Sequence, residues 1–128
     1  MLVDASSIYI LAKEGRFEVL MGQSTLSLAI YELGNAILKD LRVFKSISTE
    51  EGMKAVSFFR QILERMDIHT IEGNEDRILK LAEELQLSFS DAAYLQMAVE
   101  LGVPLVTEDK ALKRVADPLT DVCAAHEL

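Results

Sequence analysis

The stretch from Ser88 to Leu101 most constrains what this chain can fold into. Behind Ser88-Phe89-Ser90-Asp91 it is almost wholly apolar from Ala92 onward, and Gly102 and Pro104 close it. A helix apolar on most of its sides is a buried helix. Ser88 or Ser90 suits its N-cap, where a hydroxyl accepts an otherwise unpaired backbone N–H. Asp91 falls in the first turn, so a carboxylate is carried into apolar surroundings. An uncompensated buried charge is among the costliest features a fold can hold, and a helix N-terminus offsets only about 0.3–1 kcal/mol of that. Read alone, Asp91 can simply complete the helix N-terminus. The other acids decide between the readings.

Taken in order, Met1-Leu2-Val3 reads as a short buried strand ending at Asp4, with Ala5-Ser6-Ser7 as a turn and a helical stretch from Ile8. Ser24-Thr25-Leu26 is a brief extended piece. From Ser27, a candidate N-cap, Ala29, Leu33, Ala36 and Ile37 recur at helical spacing, with Glu32 on the inner side. Ser48 to Glu51 fits a capping box. The long helix behind it carries Met53, Val56, Phe59, Leu63 and Met66 as a packing stripe. Ile68 to Ile71 is a further strand, on which His69 reads as a satisfied polar residue. Asn74 caps an amphipathic helix bearing Ile78, Leu81, Ala82 and Leu85. After the Ser88 helix come the strand Val103 to Thr107, a short helix Lys110 to Ala116, and an edge strand within Thr120 to Ala124.

Short apolar strands separated by helices predict one α/β domain over residues 1–128. Its expected form is a three-layer α/β/α sandwich around a mostly parallel sheet of four or five short strands. With 128 residues, half of them hydrophobic, the chain can bury a substantial core. No apolar run approaches the roughly 18–20 residues a membrane helix needs, and no signal-peptide layout opens the chain. The expectation is a soluble, cytoplasmic protein with no membrane partner. The single Cys123 has no disulfide partner, and two distant histidines, His69 and His126, lack zinc spacing. The net charge of −8 argues against gripping nucleic acid by bulk electrostatics. It leaves a site that concentrates negative charge for cations, a basic partner, or simple solubility.

Four acids stand in apolar sequence rather than in charged runs: Asp4 after Leu2-Val3, Glu32 on an inner helix face, Asp91, and Asp109 after Leu105-Val106-Thr107. In parallel sheets ligands collect at the carboxyl ends of strands, where Asp4 and Asp109 lie. Two unit charges 4 Å apart repel by about 4 kcal/mol at an effective dielectric near 20. Converging acids would therefore take up protons or bind a divalent cation. Hard oxygen donors without histidine or thiolate favour Mg²⁺ or Mn²⁺, and such an ion suits phosphodiester hydrolysis. Ser6 and Thr107 are placed to orient carboxylates, and read equally well as turn and cap hydroxyls.

The order Leu-Val-Asp-Ala-Ser at the start, Glu32 on the next amphipathic helix, Ser90-Asp91-Ala92-Ala93 later and Leu-Val-Thr-Glu-Asp-Lys near the end resembles the PIN domain. It looks most like the compact VapC-type toxins of prokaryotic toxin–antitoxin pairs. The resemblance implies Mg²⁺- or Mn²⁺-dependent endoribonuclease cleavage. It makes Asp4 and Asp91 the principal metal ligands, with Glu32 and Asp109 completing the acidic pocket. Thr107 matches the hydroxyl residue before the last acid, and Glu108 beside Asp109 leaves an ambiguity that the family pattern resolves toward Asp109. It further implies a homodimer and a small antitoxin of VapB type. RNA would be held by local positives, with Lys13, Arg16, Lys39, Arg42, Lys110, Lys113 and Arg114 as candidates.

Other acidic Mg²⁺ pockets fit less well. A receiver domain needs paired acids ending its first strand, and a haloacid-dehalogenase-type phosphatase needs a second Asp where Ser6 stands. No glycine-rich phosphate loop follows any strand. The remaining alternatives are a non-catalytic PIN-like binding module and a housekeeping RNA-processing nuclease.

Overall fold

The computed structural model describes all 128 residues. In chain order they form β1 (Leu2–Val3), α1 (Ala5–Lys13), a 3₁₀ turn (Phe17–Leu20), β2 (Ser24–Leu26), α2 (Ala29–Arg42), α3 (Thr49–Glu64), β3 (Asp67–His69), α4 (Glu75–Leu85), α5 (Phe89–Leu101), β4 (Leu105–Val106), α6 (Lys110–Ala116), β5 (Val122–Cys123) and a closing 3₁₀ turn (Ala125–Glu127). The five strands make one sheet in the order β3-β2-β1-β4-β5, and every pairing is parallel. The expected α/β/α sandwich is thus observed, with a wholly parallel sheet. No helix is long and apolar enough to cross a membrane.

The period of two along a strand divides the core. Leu2 and Leu105 point to the face covered by α4, α5 and α6, where they meet Ile78, Ala93, Leu95 and Leu112. Val3 and Val106 point to the opposite face, against Ile8 and Leu11 of α1, Leu33 and Ile37 of α2, and Phe59 and Ile62 of α3. As the Ser88 stretch requires, α5 buries Ala92, Ala93, Tyr94, Leu95, Met97 and Ala98. It ends at Gly102, whose φ of 66° is left-handed and relaxed only for glycine.

Four local expectations change. Helix α1 begins at Ala5 rather than Ile8, because Asp4 caps it by accepting the Ser7 N–H at 2.9 Å. Ser27 does not cap α2, which starts at Ala29 behind Leu28 without a side-chain cap, and Asn74 precedes α4 without a cap bond. The α3 stripe is half right. Phe59 and Met66 are buried, but Met53 and Val56 are 69% and 43% exposed. The reason is Gly52, which is buried and lets α3 close on α2; a Cβ there would stand 3.0 Å from Leu41. That approach turns Met53 and Val56 outward. The capping box of α3 forms as read: Glu51 N donates to Ser48 Oγ at 3.1 Å and Ser48 N to Glu51 Oε1 at 3.0 Å.

Candidate active site

Strand β1 lies between β2 and β4. The chain leaves β1 toward β2 and β3, then returns through α4 and α5 to β4 on the other side. The carboxyl ends of β1 and β4 therefore flank the point where the winding reverses, the usual ligand crevice of such sheets. Asp4 directly follows β1; Thr107 directly follows β4, with Asp109 two residues on. Helices α2 and α5 bring Glu32 and Asp91 in their first turns.

Asp4 is 7% exposed and hydrogen-bonds to Ser7 and Thr107. Thr107 is wholly buried, and its Oγ1 also accepts the Asp109 N–H at 3.1 Å, which ties the ends of β1 and β4 together. Asp109 in turn caps α6 by accepting the Leu112 N–H at 2.9 Å. Asp91 N donates to the Ser88 hydroxyl at 3.1 Å, so the cap that starts α5 also places its acid. Glu32 Oε1 accepts a 2.9 Å hydrogen bond from the Tyr94 hydroxyl.

The four acids bear on one another. Burial raises the Asp4 carboxyl above its usual range against the hydrogen bonds from Thr107 and Ser7, and the Asp91 charge adds to the rise. Burial also raises Glu32, opposed by the Tyr94 hydrogen bond and reinforced by Asp4 and Asp91. Asp91 is raised by burial and then by the Asp109 charge. No lysine or arginine is among these influences, and none of the six ion pairs in the molecule uses any of the four acids. Positive helix ends stand in for cations: Asp4 and Asp109 are N-caps, while Glu32 and Asp91 sit in first turns. At about 0.3–1 kcal/mol each, these ends fall short of the few kcal/mol by which neighbouring carboxylates repel.

No three Asp, Glu, His or Cys side chains already stand close enough to hold one ion between them. Mg²⁺ asks for only one or two direct carboxylates, keeping water elsewhere. A set of carboxylate oxygens without histidine or thiolate fits such an ion and fits zinc poorly.

Several participants are invisible to sequence reasoning. Ser7, not the exposed Ser6, binds Asp4, a consequence of the unexpected start of α1. Thr25 is wholly buried and donates to the Val3 carbonyl at 2.7 Å. Tyr94 reads as one more apolar residue of α5, and only the fold reveals its hydroxyl at Glu32. Glu108 Oε1 takes the Ala125 N–H at 2.6 Å, securing the C-terminal turn, whereas it is Asp109 whose charge reaches Asp91. Beside Glu32, a cleft of about 400 Å³ is lined by Ser6, Tyr9, Ile10 and Asn35. Of the candidate positives, Lys13 pairs with Asp40 at 3.4 Å, Arg16 with the Leu128 carbonyl and Glu14, and Lys113 with Glu127 at 3.9 Å. Lys39, Arg42, Lys110 and Arg114 are exposed and outside every ion pair. His69 is satisfied by Ser24 and Asp67, both at 3.2 Å. Cys123 is half-buried, and burial pushes its thiol pKa up.

Comparison with known proteins identifies the fold and the family. The protein named Exonuclease VapC9, from Pyrobaculum aerophilum, is 34% identical over 116 residues, 87% of this chain and 81% of that protein. The crystal structure of PAE2754 from Pyrobaculum aerophilum superposes with a TM-score of 0.81 at 28% identity, covering 98% of this chain and 90% of that one. The PIN domain family matches residues 1–118, from β1 through α6 and every acid of the crevice. With that match over most of its length and a relative 34% identical, the chain belongs to the PIN domain family.

Proposed function

We propose that the protein is an endoribonuclease that hydrolyses RNA phosphodiester bonds with Mg²⁺ or Mn²⁺ and is the toxin of a toxin–antitoxin pair. The observation that carries the proposal is the crevice at the sheet's reversal point. There Asp4, Glu32 and Asp91 carry raised carboxyl pKa values, and no lysine or arginine pairs with any of them. A bound divalent ion supplies that compensation, polarises the phosphate and makes water a better nucleophile. Asp4, fixed by Ser7 and Thr107, and Asp91, fixed by the Ser88 cap, are the residues that hold it. Thr107 keeps the Asp4 carboxylate from turning away. Glu32 and Asp109 complete the acidic shell, and Glu32 takes the proton of the attacking water as general base. Lys110 and Arg114, on the helix that Asp109 starts, and Lys39 and Arg42 at the end of α2 are available for the RNA backbone.

The name of the Pyrobaculum relative favours a second reading, digestion from a chain end. One experiment separates the two. Purified protein is given linear and covalently closed circular RNA of the same sequence, with Mn²⁺ or with EDTA. Endonucleolytic action opens the circle in Mn²⁺ and not in EDTA. Cleavage of the linear RNA alone establishes the exonuclease, and no cleavage of either overturns the nuclease proposal. The partner reading is supported by exposed apolar side chains on α2, α3 and their connection, Tyr31, Val43, Phe44, Met53 and Val56 among them. Exposed apolar surface of that kind marks contacts with another chain, either a second copy in a homodimer or an antitoxin of VapB type. Growth arrest on expression, relieved by a co-expressed antitoxin, tests the toxin role.

A further inference from the structure

Resting on the nuclease reading above, we propose that Tyr94 is a positioning residue for the reaction: its hydroxyl commits one oxygen of Glu32 and leaves the other to serve the metal ion or its water. Tyr94 lies three residues after Asp91 on α5, so a single helical turn delivers both an acid and the group that steadies another acid. Its side chain is 2% exposed, and its hydroxyl bridges 62 residues of sequence to Glu32 Oε1 at 2.9 Å.

Two features make this more than the routine pairing of a buried phenol. First, it is the one hydrogen bond that the Glu32 side chain makes. A glutamate in the first turn of a helix otherwise samples several rotamers, and freezing a side chain of that length costs conformational entropy. The fold meets that cost before substrate arrives. Second, the phenol is itself fixed. The ring is packed among the α4–α6 side of the core, and the hydroxyl has Thr25, anchored to the Val3 carbonyl at 2.7 Å, as its other polar neighbour. Glu32 Oε2 is the oxygen left to act.

The test is Tyr94→Phe, which keeps the ring and removes one oxygen, read by two methods. Calorimetric titration with Mn²⁺ in the absence of RNA measures metal affinity. Steady-state cleavage of a linear RNA separates kcat from KM. Outer groups that orient metal ligands typically contribute 10–100-fold in affinity or activity. The expected result is a loss of about 10-fold in Mn²⁺ affinity or in kcat, with KM for RNA within about twofold. In a Glu32→Ala background the same substitution should cost less than about twofold, because the residue through which Tyr94 acts is gone. Wild-type values of both quantities in Tyr94→Phe, beside a Glu32→Ala variant that is impaired, overturn the inference and leave the nuclease reading standing. An equal loss with and without Glu32 also overturns it. A wild-type protein that neither binds Mn²⁺ nor cleaves RNA overturns both.

Discussion

Removing the Asp4 charge should stabilise the metal-free protein while abolishing its use of metal. In Asp4→Asn the side-chain oxygen can still accept the Ser7 N–H that caps α1, since Asn and Asp are equivalent caps. What disappears is repulsion from Asp91 and Glu32, both of which act on this site. At an effective dielectric near 20, two unit charges about 8 Å apart repel by about 2 kcal/mol, which sets the scale for one such pair. Against that stands the Thr107 hydroxyl, which meets an amide nitrogen in place of a carboxylate oxygen, a loss of about 1 kcal/mol. The net gain is about 1 kcal/mol, or about 4 °C in Tm for a chain of this size. The sign of its pH dependence follows from linkage. Asp4 is raised above its ordinary 3.8 in the folded state, so the wild-type carboxyl is least costly below that pH and becomes a liability as pH rises through the folded value. Thermal denaturation in EDTA at pH 7.5 should therefore favour the variant, and near pH 3 the difference should vanish. Saturating Mn²⁺ should reverse the order, since a ligand at 100 times its Kd adds about 2.7 kcal/mol to the state that binds it. A variant less stable than wild type in EDTA at pH 7.5 would refute the account of Asp4 as an uncompensated charge.

Two further substitutions probe the supports. Tyr9→Phe removes the hydroxyl that donates to Asp40, an 8%-exposed acid whose carboxyl that bond holds below its usual range. The loss should be about 1.5–3 kcal/mol at pH 7. It should shrink as pH falls through the lowered Asp40 value, where the bond's advantage disappears; a loss independent of pH would show that the ring, not the hydroxyl–carboxylate bond, is what matters. Ser88→Ala should cost about 1 kcal/mol in denaturant midpoint at constant slope, because the Asp91 N–H loses its acceptor. An unchanged midpoint would mean that the cap contributes nothing to placing α5.

The layers were legible because β1 and β4 are short apolar runs and α3 and α5 carry their own punctuation. Ser48 and Glu51 mark the start of α3, Ser88 the start of α5 and Gly102 its end. The acids were legible as charges in apolar company, and the fold brings all four to the reversal point of the sheet. What escaped was whatever depends on a partner distant in sequence. Ser6 and Ser7 look interchangeable until Asp4 caps α1 and selects Ser7. Met53 and Val56 share the spacing of Phe59, yet the close approach at Gly52 decides which side of α3 faces α2. Tyr94 sits in a run of apolar residues, and its hydroxyl gains meaning only when the fold brings it to Glu32 in the first turn of α2.

The central claim is that acids from four separate helix starts form one metal-dependent hydrolytic site. Its most direct test is the rate of RNA cleavage in Mn²⁺ by wild type and by Asp91→Asn, each confirmed folded by circular dichroism. Neutralising an ion-holding carboxylate should lower the rate by on the order of 100-fold or more, comparable to removing a transition-state contact. Equal cleavage by the two proteins would contradict the account.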